Sequence, residues 1–224
     1  MESYMIIDFN LIAEYLPVLL QGLVVTLQIA GVSCCIGFIL GTILALMQTS
    51  GNSLLHTFVT SYVVIIRGTP MLIQIYGAYF LLPQCGIHIP ALWTAIIAIG
   101  LNSAAYISQI IKSGISSIGR GQMEAAKVLG FSTQDTIRFI ILPQALRTAL
   151  PALGNEFVTL IKDSSLASLI GVAELTKQGN FIKSKTFDAI TVYFALAVLY
   201  LILTSTISFL VARLEKRMNI HAQD

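Results

Sequence analysis

The chain has 224 residues, of which 56% are hydrophobic and 11% are charged, and its formal net charge is +2. Soluble domains carry about 25% charged residues, so this composition excludes an ordinary soluble globular protein. The small net charge also argues against a nucleic-acid-binding surface. The composition predicts an all-α integral membrane protein.

Five apolar runs are long enough to cross a hydrocarbon core, which takes roughly 20 apolar residues in a helix. In chain order these predicted spans are Leu16–Met47, Phe58–Leu82, Ala91–Ile111, Ala149–Ile170 and Ala189–Ala212. About five transmembrane helices are therefore expected to form one domain over residues 16–212, with an N-terminal extracytoplasmic segment 1–15 and a cytoplasmic tail 213–224. An odd number of spans argues against two equal inverted halves, as in many secondary carriers.

Basic residues are distributed unevenly between the predicted loops. An N-terminus outside the cell leaves only Lys177, Lys183 and Lys185 on the outer side. Eight basic residues then lie in the cytoplasm: Lys112, Arg120, Lys127, Arg138, Arg147, Arg213, Lys216 and Arg217. This asymmetry follows the positive-inside rule and predicts a cytoplasmic C-terminus.

The second predicted span contains the interruption Arg67-Gly68-Thr69-Pro70. Pro70 removes a helical hydrogen bond and Gly68 loosens the preceding turn, so Arg67, Gly68 and Pro70 are candidates for a kink or gate. The alternative is a static bend with Arg67 near the cytoplasmic boundary. Thr69 and Gln74 are candidates for lining the substrate pathway, although such residues as often bind a neighbouring helix.

The third predicted span carries a polar stripe of Asn102, Tyr106 and Gln109, at spacings of four and three residues. A stripe of this kind faces either a cavity or another helix. We include all three residues in the predicted substrate pathway.

The fourth predicted span places Glu156, Thr159 and Asp163 on one helical face. Ionisable groups at membrane depth are costly and are functional candidates by default. Asp163 is a candidate contact for the cationic group of a substrate, and Ser164 is a second candidate for the pathway. The alternative for Asp163 is an ion pair with a Lys or Arg of a neighbouring span.

The polar interval 113–148 lies between the third and fourth predicted spans. Glycines at 114, 119 and 121 precede a predicted helix that Gly130 ends. Ser132 and Asp135 resemble a capping box that opens a second helix, predicted to end near Pro143. The expected structure is a pair of short helices joined by a tight turn.

Within the first of these helices, Ala125 and Ala126 would allow close approach of another surface, and Glu124 would meet a cationic site on it. The chain has no Gly-x-x-x-x-Gly-Lys-Ser/Thr pattern, so ATP hydrolysis would have to come from another subunit. The alternative is an ordinary solvated helical hairpin.

The series Glu124-Ala125-Ala126, Gly130 and Ile140-x-Leu142-Pro143 resembles the EAA signature of permeases from ATP-binding-cassette (ABC) importers. The chain also resembles the polar amino-acid subfamily of these permeases, which includes histidine, glutamine, glutamate and arginine permeases. The motifs that carry this resemblance lie at 67–70, 102–106, 121–124, 162–166 and 170–175. Where this subfamily often has Glu, the chain has Gln109. That difference removes a negative charge and favours a neutral polar substrate such as glutamine.

The resemblance implies a type I ABC importer permease (MetI-like) fold in the bacterial inner membrane. It also implies that Glu124, Ala125, Ala126 and Gly130 couple the chain to the ATPase. The implied partners are a second permease subunit, two ATPase subunits that use ATP and Mg, and an extracytoplasmic solute-binding protein. The chain itself is expected to be neither an enzyme nor a metal protein.

The sequence leaves three questions open. It does not identify the amino acid carried, and it does not decide between a homodimer and a pair of paralogues. The alternative function is a self-sufficient channel or ion-coupled carrier that uses Glu156 and Asp163 as cation sites.

Overall fold

The computed structural model describes residues 7–217, and these residues are almost entirely helical. The described part contains α1 Phe9–Thr49, α2 Ser53–Arg67, α3 Met71–Leu81, α4 Ala91–Ser117, α5 Arg120–Val128, α6 Thr133–Asp135, α7 Leu142–Asp163, α8 Leu175–Thr186 and α9 Ala189–Arg217. Short 3₁₀ segments lie at Pro83–Cys85 and Ser164–Ile170. The predicted all-α class is confirmed. The parts of the predicted terminal segments at 1–6 and 218–224 lie outside the described residues.

Three helices of the described chain, α1, α4 and α9, are long and apolar enough to cross a membrane, and α2 with α3 gives a fourth if this broken pair forms one span. The fourth predicted span coincides with α7 and the 3₁₀ segment after it. Helix α7 is less apolar, because it carries charged residues such as Glu156, Lys162 and Asp163. The membrane crossing of α7 and the orientation of the chain therefore stay predictions.

The described chain separates into two compact units. The first comprises residues 7–34, 70–100 and 157–207. Its core joins the early part of α1 to α8 and α9 through Leu19, Leu175 and Leu196. Gly179 of α8 permits this packing, because a Cβ atom there would lie 2.6 Å from a methyl carbon of Leu196.

The second unit comprises residues 35–69, 101–156 and 208–217. One cluster of its core packs Ala45 of α1 against Ile107 and Ile111 of α4. The close approach of α1 to α4 requires Gly41, because a Cβ atom there would lie 2.8 Å from Ile107. A second cluster packs Val59 and Val63 of α2 against Ala105 of α4.

The prediction that a helix ends near Pro143 is wrong. The helical backbone runs without a break from Thr133 through Pro143 to Asp163. A π-helical segment, Thr136–Ile141, precedes the proline, and the Leu142 N–H bonds to the Ile137 carbonyl five residues back. The wider turn accommodates a proline that would otherwise break an α-helix, so the interval contains one short and one long helix.

Candidate functional site

Helix α5 is a nine-residue helix with a well-defined C-terminal stop. Gly130 adopts the left-handed conformation, with φ at +83°. Its N–H bonds to the Lys127 carbonyl at 3.0 Å, and the Phe131 N–H bonds to the Ala126 carbonyl at 3.0 Å. These two bonds form a Schellman motif, which confirms the predicted helix stop at Gly130.

The outer side of α5 combines a carboxylate with apolar groups. Glu124 and Ala125 are exposed, and so are 87% of Val128 and 74% of Leu129. We call these four residues the coupling face, after the role predicted for this helix. Ala126 is only 1% exposed, so it packs within the second unit and does not belong to this face.

The turn after α5 is fixed by a cap at Ser132. The Asp135 N–H donates to the Ser132 hydroxyl oxygen at 3.1 Å, and this hydroxyl donates to the Asp135 carboxylate at 2.6 Å. The predicted capping residues are therefore confirmed. The turn holds α5 in a defined position at the start of the long helical segment that leads into α7.

The interruption at 67–70 is a complete helix break. Helix α2 ends at Arg67, where the Gly68 N–H bonds to the Val64 carbonyl at 2.9 Å, and Pro70 is the extended residue before α3. Thr69 donates its hydroxyl to the Ile65 carbonyl at 3.0 Å. The predicted kink is confirmed, and Pro70 causes it by restricting its own backbone and that of Thr69.

Arg67 contributes to the lining of a pocket in the second unit. Its guanidinium carbon is 4.9 Å from the centre of the Tyr106 ring. The pocket has a volume of about 370 Å³, and Arg67, Tyr106 and Gln109 contribute to its wall. Two members of the predicted polar stripe thus meet the predicted kink residue in one cavity.

A chain of amide groups connects α1, α2 and α4 in the second unit. The Gln109 amide nitrogen donates to Gln48 at 3.1 Å, and Gln48 donates to the Thr60 hydroxyl at 2.9 Å. Gln48 and Thr60 were not predicted as partners of Gln109. A polar residue near the C-terminal end of a long apolar run is the signal that could have identified Gln48.

The remaining pathway candidates lie in several environments. Asn102 is buried, and Gln74 is partly buried in α3. Asp163 is partly buried at the end of α7. The side chain of Ser164 is fully buried, and its hydroxyl donates to the Ile161 carbonyl at 2.8 Å. This hydrogen bond is local to the end of α7.

Glu156 also has a defined partner in the second unit. Its carboxylate accepts a hydrogen bond from the buried Ser103 hydroxyl at 2.8 Å. This contact was not predicted, although Ser103 lies in the motif at 102–106 and Glu156 was placed on the polar face of the fourth predicted span. The bond gives Glu156 a structural role between α7 and α4.

A buried carboxylate organises the first unit. Glu174 is fully buried and caps α8 by accepting from the Thr176 and Lys177 N–H groups at 2.9 and 2.7 Å. The hydroxyls of Tyr200 and Thr26 donate to it at 3.0 and 3.4 Å. Burial raises the pKa of Glu174 more than these hydrogen bonds lower it. The cap therefore joins α8 to α1 and α9.

The family model for the inner membrane component of binding-protein-dependent transport systems matches residues 37–220. This chain belongs to that family. The glutamine transport system permease protein GlnP of Escherichia coli strain K12 is 40% identical over 215 residues, covering 95% of this chain and 98% of GlnP. The nopaline transport system permease protein NocM of Agrobacterium fabrum is 39% identical, covering 96% of this chain and 93% of NocM.

A solved structure supports the same assignment. The crystal structure of an amino acid ABC transporter with histidines contains a chain with a TM-score of 0.88 and 38% identity, covering 95% of this permease and all of that chain. The predicted importer-permease fold is thereby confirmed. The permease is the inner-membrane component of its transport system, works with a binding protein and an ATPase, and is not an enzyme by itself.

Proposed function

We propose that this permease passes polar amino acids across the bacterial inner membrane, driven by ATPase subunits that dock on the coupling face. The similarity to amino-acid permeases over about 95% of the chain supports the substrate class. The observation that carries the coupling proposal is the exposure of large apolar side chains at the end of a capped helix.

The composition of the coupling face suits a protein partner. Val128 and Leu129 are mostly exposed, so they contribute little to the packing of the second unit. Burying them against a partner would remove apolar surface from water, which favours binding. Glu124 adds a carboxylate that can meet a cationic site and fix the docking orientation. The Schellman stop at Gly130 reduces the entropy lost when this surface docks.

The assembly that we propose has two permease subunits and two ATPase subunits, with the solute-binding protein on the outer side. ATP and Mg are used by the ATPase subunits. The second permease is either another copy of this chain or a paralogue. Transport then follows from partner states that stabilise the inward-open and outward-open conformations to different extents.

For the pathway, we propose the uncharged polar residues Thr69, Gln74, Asn102, Tyr106 and Gln109 together with Asp163. The Gln109 amide contributes no formal charge, which favours a neutral polar cargo, while Asp163 would attract an ammonium group. Ser164 is a weaker candidate, because its hydroxyl is buried and bonded to its own helix.

Charge reversal on the coupling face tests the docking proposal. We expect Glu124→Lys to lower ATP-dependent uptake by at least about tenfold, because a like charge placed against a cationic site costs several kcal/mol. The measurement is uptake of a panel of amino acids by vesicles containing the permease, the ATPase and the binding protein, with co-purification of the ATPase as a second readout.

Glu14→Lys is the matched control, because Glu14 is also an exposed carboxylate and lies on α1 outside the coupling face. Both variants should insert into the membrane normally. Full uptake with normal ATPase recovery in Glu124→Lys would refute the docking role of this residue.

A further inference from the structure

The pocket between α2, α4 and α7 in the second unit holds a cation without a carboxylate beside it. Ten residues line this pocket, all in the described part of the chain, and none is acidic. Arginine remains charged at every physiological pH. The Arg67 guanidinium is therefore available for an anionic ligand.

We propose that this pocket binds the α-carboxylate of an amino acid through Arg67. The inference rests on the proposed function, because it takes the cargo to be an amino acid. It adds a defined anion-binding group in the half of the chain that also carries the coupling face. From the sequence, Arg67 was a candidate for a kink or gate, with a static bend as the alternative.

The contact with Tyr106 positions Arg67 without neutralising it. An aromatic ring attracts a cation through its quadrupole, and the distance of 4.9 Å from the guanidinium carbon to the ring centre lies within the range of such contacts. A ring carries no formal negative charge, so the guanidinium keeps its charge and its N–H donors. Arginine forms two parallel hydrogen bonds with a carboxylate, which fixes the direction of the ligand.

Gln109 supplies the complementary group for an ammonium. Its amide nitrogen donates to Gln48 and to the Ser108 hydroxyl, each at 3.1 Å. These bonds occupy the nitrogen and leave the carbonyl oxygen of Gln109 as an acceptor. A donor at Arg67 and an acceptor at Gln109 in one pocket match the two charged groups of a free amino acid.

The rest of the pocket can accommodate the side chain of a bound amino acid without strong selectivity among side chains. Its volume of about 370 Å³ falls within the range of about 300–1,000 Å³ that is typical of small-molecule sites. Ser113, Ser117 and Thr148 contribute hydroxyl groups, whereas Ala149 and Ala152 contribute small apolar surfaces. Such a wall suits polar side chains of different lengths.

Equilibrium binding to the assembled complex tests this site. The permease with its ATPase is placed in nanodiscs of zwitterionic lipid without nucleotide or binding protein, and binding of L-glutamine, L-histidine and L-arginine is compared with that of their α-amides. We expect the wild type to bind the acids at least about tenfold more tightly, because the amides lack the group that Arg67 recognises. Arg67→Gln should abolish this preference, and Arg67→Lys should retain part of it.

Arg213→Gln is the matched control, because Arg213 also lies over an aromatic ring, with its guanidinium carbon 4.4 Å from the centre of Phe209, but does not line the pocket. This variant should keep the wild-type preference. If Arg67→Gln does not fold, Arg67→Lys provides the comparison through its weakened preference.

Two results would overturn the inference. One is an undiminished preference for the acids in both Arg67 variants, and the other is the absence of acid binding by the wild type. ATP-driven uptake by the wild type with its binding protein would leave the proposed function intact in either case. A lipid phosphate is also an anion that arginine binds. If anionic lipid added to the nanodiscs binds the wild type but not Arg67→Gln, and the amino-acid preference is unchanged, the pocket belongs to lipid instead, which also overturns the inference.

Discussion

Glu174 shows how a single buried carboxyl group can organise several helices. It accepts two backbone N–H groups at the start of α8 and two hydroxyl groups from α1 and α9. A cap of this kind contributes about 1 kcal/mol in a typical helix. Here the same oxygen atoms also connect three helices, so the loss of the carboxylate should affect the whole first unit.

We predict that Glu174→Gln lowers the thermal stability of the purified permease, because the side-chain NH₂ group would face hydrogen-bond donors. The difference between wild type and variant should shrink as the pH rises. The pKa of Glu174 is higher in the folded state than its ordinary value of 4.5. The group therefore stabilises the fold at pH values below the pKa of the unfolded state, and this contribution is lost as the pH rises through the pKa of the folded state. Unfolding temperatures measured between about pH 4 and 8 check this expectation.

Asp188 provides a control, because its pKa is shifted in the opposite direction to that of Glu174. Hydrogen bonds from Thr191 lower the pKa of Asp188, so its contribution is present above its unfolded pKa and is lost as the pH falls. The difference between wild type and Asp188→Asn should therefore grow with rising pH. A pH-independent difference for Glu174→Gln would contradict the assignment.

Helix α5 depends on its ends, because a helix of nine residues is too short to be stable alone. The Schellman bonds at Gly130 and the cap at Ser132 fix the turn on its C-terminal side. The sequence predicted both features because they depend on local chemistry. A left-handed residue and a capping hydroxyl are recognisable within a few positions of the helix end.

Gly130→Ala should disturb this element selectively. A side chain in the left-handed conformation costs about 1–2 kcal/mol, so the end of α5 should fray and ATP-dependent uptake should fall several-fold. Amide hydrogen exchange over α5 and vesicle uptake measure the two effects.

Gly121→Ala is the matched control in the same helix. A Cβ atom at Gly121 would meet open space, and alanine favours a helix more than glycine does. This variant should keep or slow the exchange of α5 and should retain uptake. Equal fraying of α5 in the two variants would contradict the role given to Gly130.

For the molecule as a whole, the sequence predicted local features better than contacts between distant segments. The break at Gly68 and Pro70 was predictable because both residues act on their own backbone. The partners of Gln109 and Glu156 were not, because Gln48 and Ser103 are brought to them only by helix packing. The passage of the helix through Pro143 was also missed, since the π-helical segment that permits it has no simple sequence pattern.

The permease alone should not concentrate amino acids. The family comprises components of larger transport systems, and a subunit without its ATPase has no supply of free energy from ATP. Liposomes containing only this chain should show no accumulation, and adding the ATPase, the binding protein and ATP should produce it. Accumulation by the chain alone, driven by an ion gradient, would favour the alternative of an ion-coupled carrier.

The uninterrupted helical path through Pro143 has a mechanical consequence. A hinge at this proline would absorb a displacement at its own position. A continuous helical backbone, which also contains Pro151, instead carries part of a displacement along its axis. If the ATPase binds α5 as proposed, a displacement of α5 should reach the residues around Glu156, and glycines inserted beside Pro143 should uncouple ATP consumption from transport.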